Sequence, residues 1–255
     1  MFALSIPKSV MPSQVRRLYR RLRPISHPLK PEKLRLIDLA LSRGATRFAD
    51  LGGMWGVDGG YAIHAADHGA ASVVLVDGYQ TPAFISARAR RPNLAFLNAN
   101  FALPSTAVSL APLDAVMLYD VLLHQVAPNW DEVLAAYATH LRWILVYNQQ
   151  FTGSNRTVRL IDQGEAWYHR HAPIDDSNEG YRNLFEHPNE VDVRWPTVDG
   201  RLNRDVTDVW QWGITDDDLI RVMDECGFSA AYSHDCGRMT DIEDFKEHAW
   251  LFEKR

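Results

Sequence analysis

Cysteine is scarce, with only Cys226 and Cys236 in 255 residues. Two thiols at that spacing fit neither a CxxC redox motif nor a zinc knuckle or disulfide framework, so reduced thiols are expected. Long apolar runs are also missing. The longest, such as AASVVLV at 70–76, fall far short of the roughly 20 residues that a membrane-spanning helix needs. MFALSIP ends too soon for a secretory leader, so a cytoplasmic protein is expected. Excess positive charge is absent as well: the net charge of −5 excludes gripping nucleic acid with the whole surface. The exception is RRLYRRLRP at 16–24, with Arg16, Arg17, Arg20, Arg21 and Arg23. That run suits phosphates, an acidic partner or an anionic lipid surface, or is the solvated face of an N-terminal helix.

What is present is ordinary globular material, 46% hydrophobic and 23% charged, in a length that fits one large domain with an insertion. EKLRLIDLALSRG has helical apolar spacing with Gly44 as its stop, and RFADLG follows as a short strand. A glycine-rich loop leads to a helical YAIHAADHG, and SVVLVDG reads as a buried strand closing on Asp77. PAFISARARR (helix), LAFLNANF (strand), LDAVMLYD (strand), NWDEVLAAYATHLR (helix) and WILVYNQ (strand) continue the alternation. This spacing predicts right-handed βαβ units on a mostly parallel, doubly wound α/β sheet. From Phe151 to about Trp212 periodicity fades, which predicts an inserted lid. TDDDLIRVMDECGF then restores a helix capped by Thr215, and SAAYSHDC with HAWLFEKR closes the sheet as an antiparallel pair.

The segment FADLGGMWGVDGG puts a strand-end acid, Asp50, before glycines at the carboxyl edge of that sheet, where such folds bind ligands. It lacks GxGxxG and the GK[ST] of a phosphate-binding P-loop, which counts against nicotinamide or ATP. Asp77, ending the second strand, can accept both hydroxyls of a ribose, which points to a nucleoside. With these residues in view, the chain resembles the class I S-adenosylmethionine-dependent methyltransferases, over residues 45–150 and again at WQWGITDDDLIRVMDECGF. Asp50, Gly52 and Gly56 match the family's first motif, with Gly53 and Trp55 in the same loop. Asp77 with Gly78 matches its ribose acid, Asn100 with Phe101 its adenine loop, and Asp120 the end of the fourth strand. The match departs in two places. DxGxGxG is stretched to DLGGMWGVDGG, and Asn98 and Asn100 stand where aspartate is more common. The resemblance implies S-adenosylmethionine and a Rossmann-like domain organised as an N-terminal helical segment (1–44), cofactor-binding core (45–150), lid (151–212) and completion of the sheet (213–255).

YDVLLHQVAPNW resembles a segment of a methyltransferase branch that includes the tRNA wobble-uridine carboxymethyl-transferring enzymes, and it supplies Asp120, His124 and Pro128. Methyl transfer to a hydroxyl eases as the oxygen loses its proton, which suits His124 as general base; the alternative is a histidine that holds its loop through a backbone hydrogen bond. Asp120 is expected to orient that imidazole, bind substrate or, with Asn148, join a magnesium site, and Asn148 at the end of the fifth strand points to the same mouth as a substrate residue. The insertion is rich in aromatic and hydrogen-bonding residues that suit a saccharide, among them Trp167, Tyr168, His169, Trp195, Trp210 and Trp212, several of which must be packing residues. Its layout is similar to that of actinobacterial enzymes methylating mannose units of polymethylated polysaccharides. The expectation is O-methylation of a small polyhydroxylated acceptor, with a homodimer as a further expectation. A tRNA-modifying enzyme and a non-catalytic cofactor-binding protein stand as alternatives.

Overall fold

The computed structural model describes residues 27–174, 179–191, 201–207 and 209–255. The arginine run at 16–23 and Trp195 lie outside them. Helix α1 (Pro31–Ser42) starts at a proline pre-set for helical φ and buries Lys33, Leu36, Ile37 and Ala40 along one stripe. Strand β1 (Arg47–Leu51) leads through the glycine loop to α2 (Gly60–Asp67) and β2 (Ser72–Asp77). Next come α3 (Pro82–Arg88), β3 (Leu94–Asn98), α4 (Pro104–Ser109) and β4 (Ala115–Tyr119). A 3-10 turn (Leu122–His124), α5 (Trp130–Ala138) and β5 (Trp143–Phe151) complete the first part. The insertion contains β6 (Val158–Arg159), α6 (Glu165–His171), α7 (Glu179–Glu186) and β7 (Trp212–Gly213). Helix α8 (Asp216–Glu225) and strands β8 (Phe228–Arg238) and β9 (Phe245–Lys254) close the chain.

The main sheet runs β3-β2-β1-β4-β5-β9-β8, with the first five strands parallel and β9 antiparallel to both neighbours. Every residue of β4 and β5 is buried, as expected of strands covered on both faces. One core joins α1, α2 and α3 to the sheet through Leu36, Tyr61, Phe84 and Leu145. The other joins α4, α5 and α8 through Ala107, Leu134, Val146 and Leu219. Successive strand residues alternate between these two faces. The direction of the strand order reverses between β1 and β4, which opens a crevice at their carboxyl ends.

One strand boundary moves, one helix is added, and the insertion's core comes into view. The third strand ends at Asn98 instead of reaching Phe101, because the Asn100 side chain accepts the Ala102 amide and turns the chain. Helix α4 was not legible. The insertion is folded around its own small core of Phe151, Leu160, Tyr168, Leu184 and Phe245. It docks on the sheet where Phe151 donates its amide to the Ile214 carbonyl at 2.7 Å. Among the described residues no helix is long and apolar enough to cross a membrane.

Candidate cofactor crevice and active site

The crevice floor is built by close backbone packing. A Cβ on Gly53 would sit 2.1 Å from Asp50 Oδ2, so this position admits only glycine while Asp50 stays where it is. Gly52 has φ +76° and is pinched between Val121, beyond β4, and Phe101, beyond β3; a Cβ there would lie 3.0 and 3.1 Å from them. The first-motif glycine and the adenine-loop residue therefore meet. Trp55 stands at the loop tip, 79% exposed, and Asn100 is exposed at the same edge.

Asp50 is buried, and neither carboxylate oxygen has a well-aligned hydrogen bond among the described residues. Burial first, and then the Asp77 charge, lift its pKa from the carboxylate range to about 7; the nearby Ala62 amide and Lys33 work the other way. Asp77 Oδ2 accepts the Met54 amide at 3.1 Å and Oδ1 accepts Gly78 at 2.7 Å. Each of these oxygens has a second lone pair, and the carboxylate is part-exposed at the crevice.

Asp120 has φ +56°, a left-handed conformation that a non-glycine residue adopts only when its surroundings impose it. Its surroundings were missed from sequence. Lys33, 4% exposed on α1, forms an ion pair with one Asp120 oxygen, and Gln149 Nε2 donates to the other at 2.9 Å. The Lys33 ammonium lies 4.6, 5.3 and 5.7 Å from the ring centres of Tyr147, Tyr61 and Tyr119. Burial raises the pKa of all three phenols, that of Tyr61 to about 12, so they are neutral hydrogen-bonding groups. Tyr147 donates to Glu247, which also pairs with Lys30. One signal in the sequence was a lysine on the apolar stripe of α1.

The His124 Nδ1 is 2.7 Å from the Val209 carbonyl of the insertion, so Nδ1 carries a proton. The Val209 carbonyl takes the Nδ1 hydrogen, so the expectation that Asp120 orients the imidazole through that nitrogen is corrected. The backbone-tether alternative describes the observed bond. The magnesium pairing of Asp120 with Asn148 is corrected too. Gln149 reaches Asp120, so strand alternation puts Asn148 on the opposite face. Among the described residues no three His, Cys, Asp or Glu side chains converge on a cation site. Asp120 and Asn148, on opposite faces, do not fit a shared metal.

The aromatic residues of the insertion divide. Tyr168 is fully buried and donates to the Trp210 carbonyl, so it is a packing residue and the substrate expectation is corrected. Trp167 is part-exposed and stacked on His171 with ring centres 3.9 Å apart, while His169 is exposed. Trp210 packs edge-on against Phe245, and Trp212 Nε1 donates to the Gln125 carbonyl at 2.7 Å.

No family model matches the chain, and no curated protein matches it in sequence. Its backbone is similar to that of the 1,6-didemethyltoxoflavin-N1-methyltransferase of Burkholderia thailandensis, crystallised with bound 1,6-didemethyltoxoflavin and S-adenosylhomocysteine (SAH). The TM-score is 0.54 at 12% identity, covering 88% of this chain and 78% of that one. The N-terminal domain of EvdMO1, crystallised in the presence of SAH and D-fucose, gives 0.55 at 14% identity over 90% and 85%. Magnesium protoporphyrin IX methyltransferase from Synechocystis PCC 6803, with bound SAH, gives 0.52 at 15% identity over 95% of each chain. Together with the strand order, this likeness establishes the Rossmann-like methyltransferase fold.

Proposed function

We propose that this chain is an S-adenosylmethionine-dependent methyltransferase that methylates a hydroxyl of a small polyhydroxylated acceptor, with saccharides as the leading class. The observation that carries the reading is the meeting of a ribose-type acid, Asp77, with the Gly52–Gly53 cradle and Phe101 at the switch point of the sheet. The cradle fits the cofactor: a Cβ would fill it, and Asp77 is part-exposed beside it. S-adenosylmethionine supplies an electrophilic methyl group on a sulfonium.

The chain's own residues do the rest. Asp77 accepts the ribose hydroxyls, Phe101 and Asn100 flank the adenine, and the backbone of Gly52 and Gly53 lets the cofactor lie against the sheet edge. Asp120, paired with Lys33 and Gln149, faces the crevice with its geometry held from two sides. His124 takes the acceptor hydroxyl proton on Nε2, while the Val209 carbonyl stabilises the imidazolium through Nδ1. The acceptor class rests on the hydrogen-bonding groups at the mouth, including exposed His169 and part-exposed Trp167.

Calorimetric titration with S-adenosylmethionine and SAH, with NAD as the control, tests the cofactor. Binding of the first two and not the third is expected; NAD alone would overturn the reading. An acceptor screen starting from methyl glycosides follows, and transfer to tRNA in their place would overturn the acceptor class while leaving the cofactor assignment standing. His124→Ala is expected to abolish most turnover with SAH binding intact. Unchanged turnover would remove His124 as the base.

A further inference from the structure

The residues ahead of helix α1 pass along the glycine loop, and their contacts account for two of its glycines. The His27 amide donates to the Gly56 carbonyl at 2.8 Å, and a Cβ on Gly56 would lie 2.8 Å from the His27 ring carbon Cδ2. Two residues on, Leu29 covers Gly60, the first residue of α2, where an added Cβ would be 2.6 Å from a Leu29 methyl. Lys30 then donates its amide to the Tyr61 hydroxyl at 3.0 Å, and its ammonium pairs with Glu247 on β9. Three residues later Lys33 meets Asp120. The stretch from His27 to Lys33 is therefore a strap that joins the glycine loop to β9 and to the end of β4.

The loop, residues 52–60, needs support from outside. Gly56 has φ +72° and Asp58 φ +51°, a run of left-handed backbone that a free chain seldom holds and that is ordered at an entropic cost. Its base is fixed to the second strand: Gly52 donates to the Val76 carbonyl at 2.8 Å, and Met54 donates to Asp77. Its tip, residues 55–58, has among the described residues one hydrogen bond from beyond the loop, and His27 provides it. Gly60 is different from Gly56, because its φ lies outside the left-handed region. Glycine at 60 is accounted for by the room that Leu29 takes, and not by backbone conformation.

We propose that His27 and Leu29 are positioning residues of the cofactor site: the strap holds the glycine loop in the form that receives S-adenosylmethionine, and the bound cofactor in turn fastens the strap. This rests on the methyltransferase reading given above. Gly56 and Gly60 seat the strap, while Gly52 and Gly53 form the cradle. The strap acts without touching the ligand. Its effect passes through the loop to Met54, whose amide holds the ribose acid Asp77 at 3.1 Å. A loop released at its tip lets that amide, and with it the Asp77 carboxylate, drift from the geometry the cofactor requires.

The test compares full-length His27→Ala and Leu29→Ala with Leu39→Ala, a part-buried leucine farther along α1 that packs against the same core as Leu29. SAH is the probe, with affinity read by calorimetry and dissociation by stopped flow. Expected is an affinity weakened about tenfold in both strap variants, chiefly through faster dissociation, and unchanged in Leu39→Ala. Leu29→Ala and Leu39→Ala should both melt lower than the wild type, whereas His27 is exposed and its variant should melt as the wild type does. Coupling is reciprocal, so saturating SAH should also slow hydrogen exchange at the wild-type His27 and Lys30 amides by about tenfold. Three results overturn the proposal: unchanged SAH affinity in both strap variants, an equal loss in Leu39→Ala, or exchange at these amides that is indifferent to SAH. Failure of SAH to bind the wild type would overturn the methyltransferase reading itself and is distinguishable from these.

Discussion

Asp50 is a buried carboxyl group with Asp77 as a second acid nearby. Because its folded pKa is raised to about 7, the native state holds a proton that the unfolded chain releases near pH 4. Stability therefore falls as pH rises through that window and levels off above it. The difference amounts to about 4 kcal/mol at most. Asp50→Asn should lack this descent and be the more stable protein above pH 7, which urea melts of both proteins across pH 4 to 8 will show. Parallel slopes would mean that Asp50 stays ionised. At Gly53, alanine forces a Cβ onto the Asp50 carboxylate; Gly53→Ala is expected to lose about 1–3 kcal/mol, in the range of overpacked cores. Asp77→Ala should weaken SAH binding about 10- to 100-fold, as expected for a charged acceptor lost to hydroxyls. Circular dichroism should stay unchanged, and a matching loss of fold would place Asp77 in the scaffold instead.

Helix α1 is more than a lid on the sheet, because it delivers Lys33 to the end of β4. Lys33→Met keeps the apolar stem and removes the charge, leaving Asp120 in its left-handed conformation without a counter-ion. A loss of about 2 kcal/mol is expected, moderated because Asp120 is 37% exposed to water. A double-mutant cycle with Asp120→Asn should return a coupling; strict additivity would deny the pairing. At this scale the chain was partly readable. Strands β1, β2, β4 and β5 announce themselves as short apolar runs, and the Thr215 cap marked α8, where its hydroxyl accepts the Asp218 amide. Helix α4 did not, because its six residues bury only Thr106 and Ala107. Lys33 was hidden for a different reason: a lysine on an apolar stripe becomes meaningful only when its partner, 87 residues later, is in place. In α6 the neighbours Trp167 and Tyr168 look alike in sequence, yet one stacks on His171 and the other fills the insertion's core.

For the molecule as a whole, the order of elements was legible because alternating strands and helices leave few topologies open, and the glycine loop with Asp77 then located the crevice. Side-chain convergence was not, since Asp120, His124 and the carboxamides of β5 divide between two faces that one-dimensional spacing does not separate. The insertion illustrates the difference. It departs after Phe151 and is back beside that same residue at Ile214, one hydrogen bond of 2.7 Å away. Its two ends therefore share a single socket on the sheet, and its length never enters the strand register. A segment mounted in this way is interchangeable: a different insertion between the same two anchor points would change the surface beside the crevice while the crevice at β1 keeps its shape. In the proposed methyltransferase, choice of acceptor and delivery of the methyl group would then be separately heritable parts.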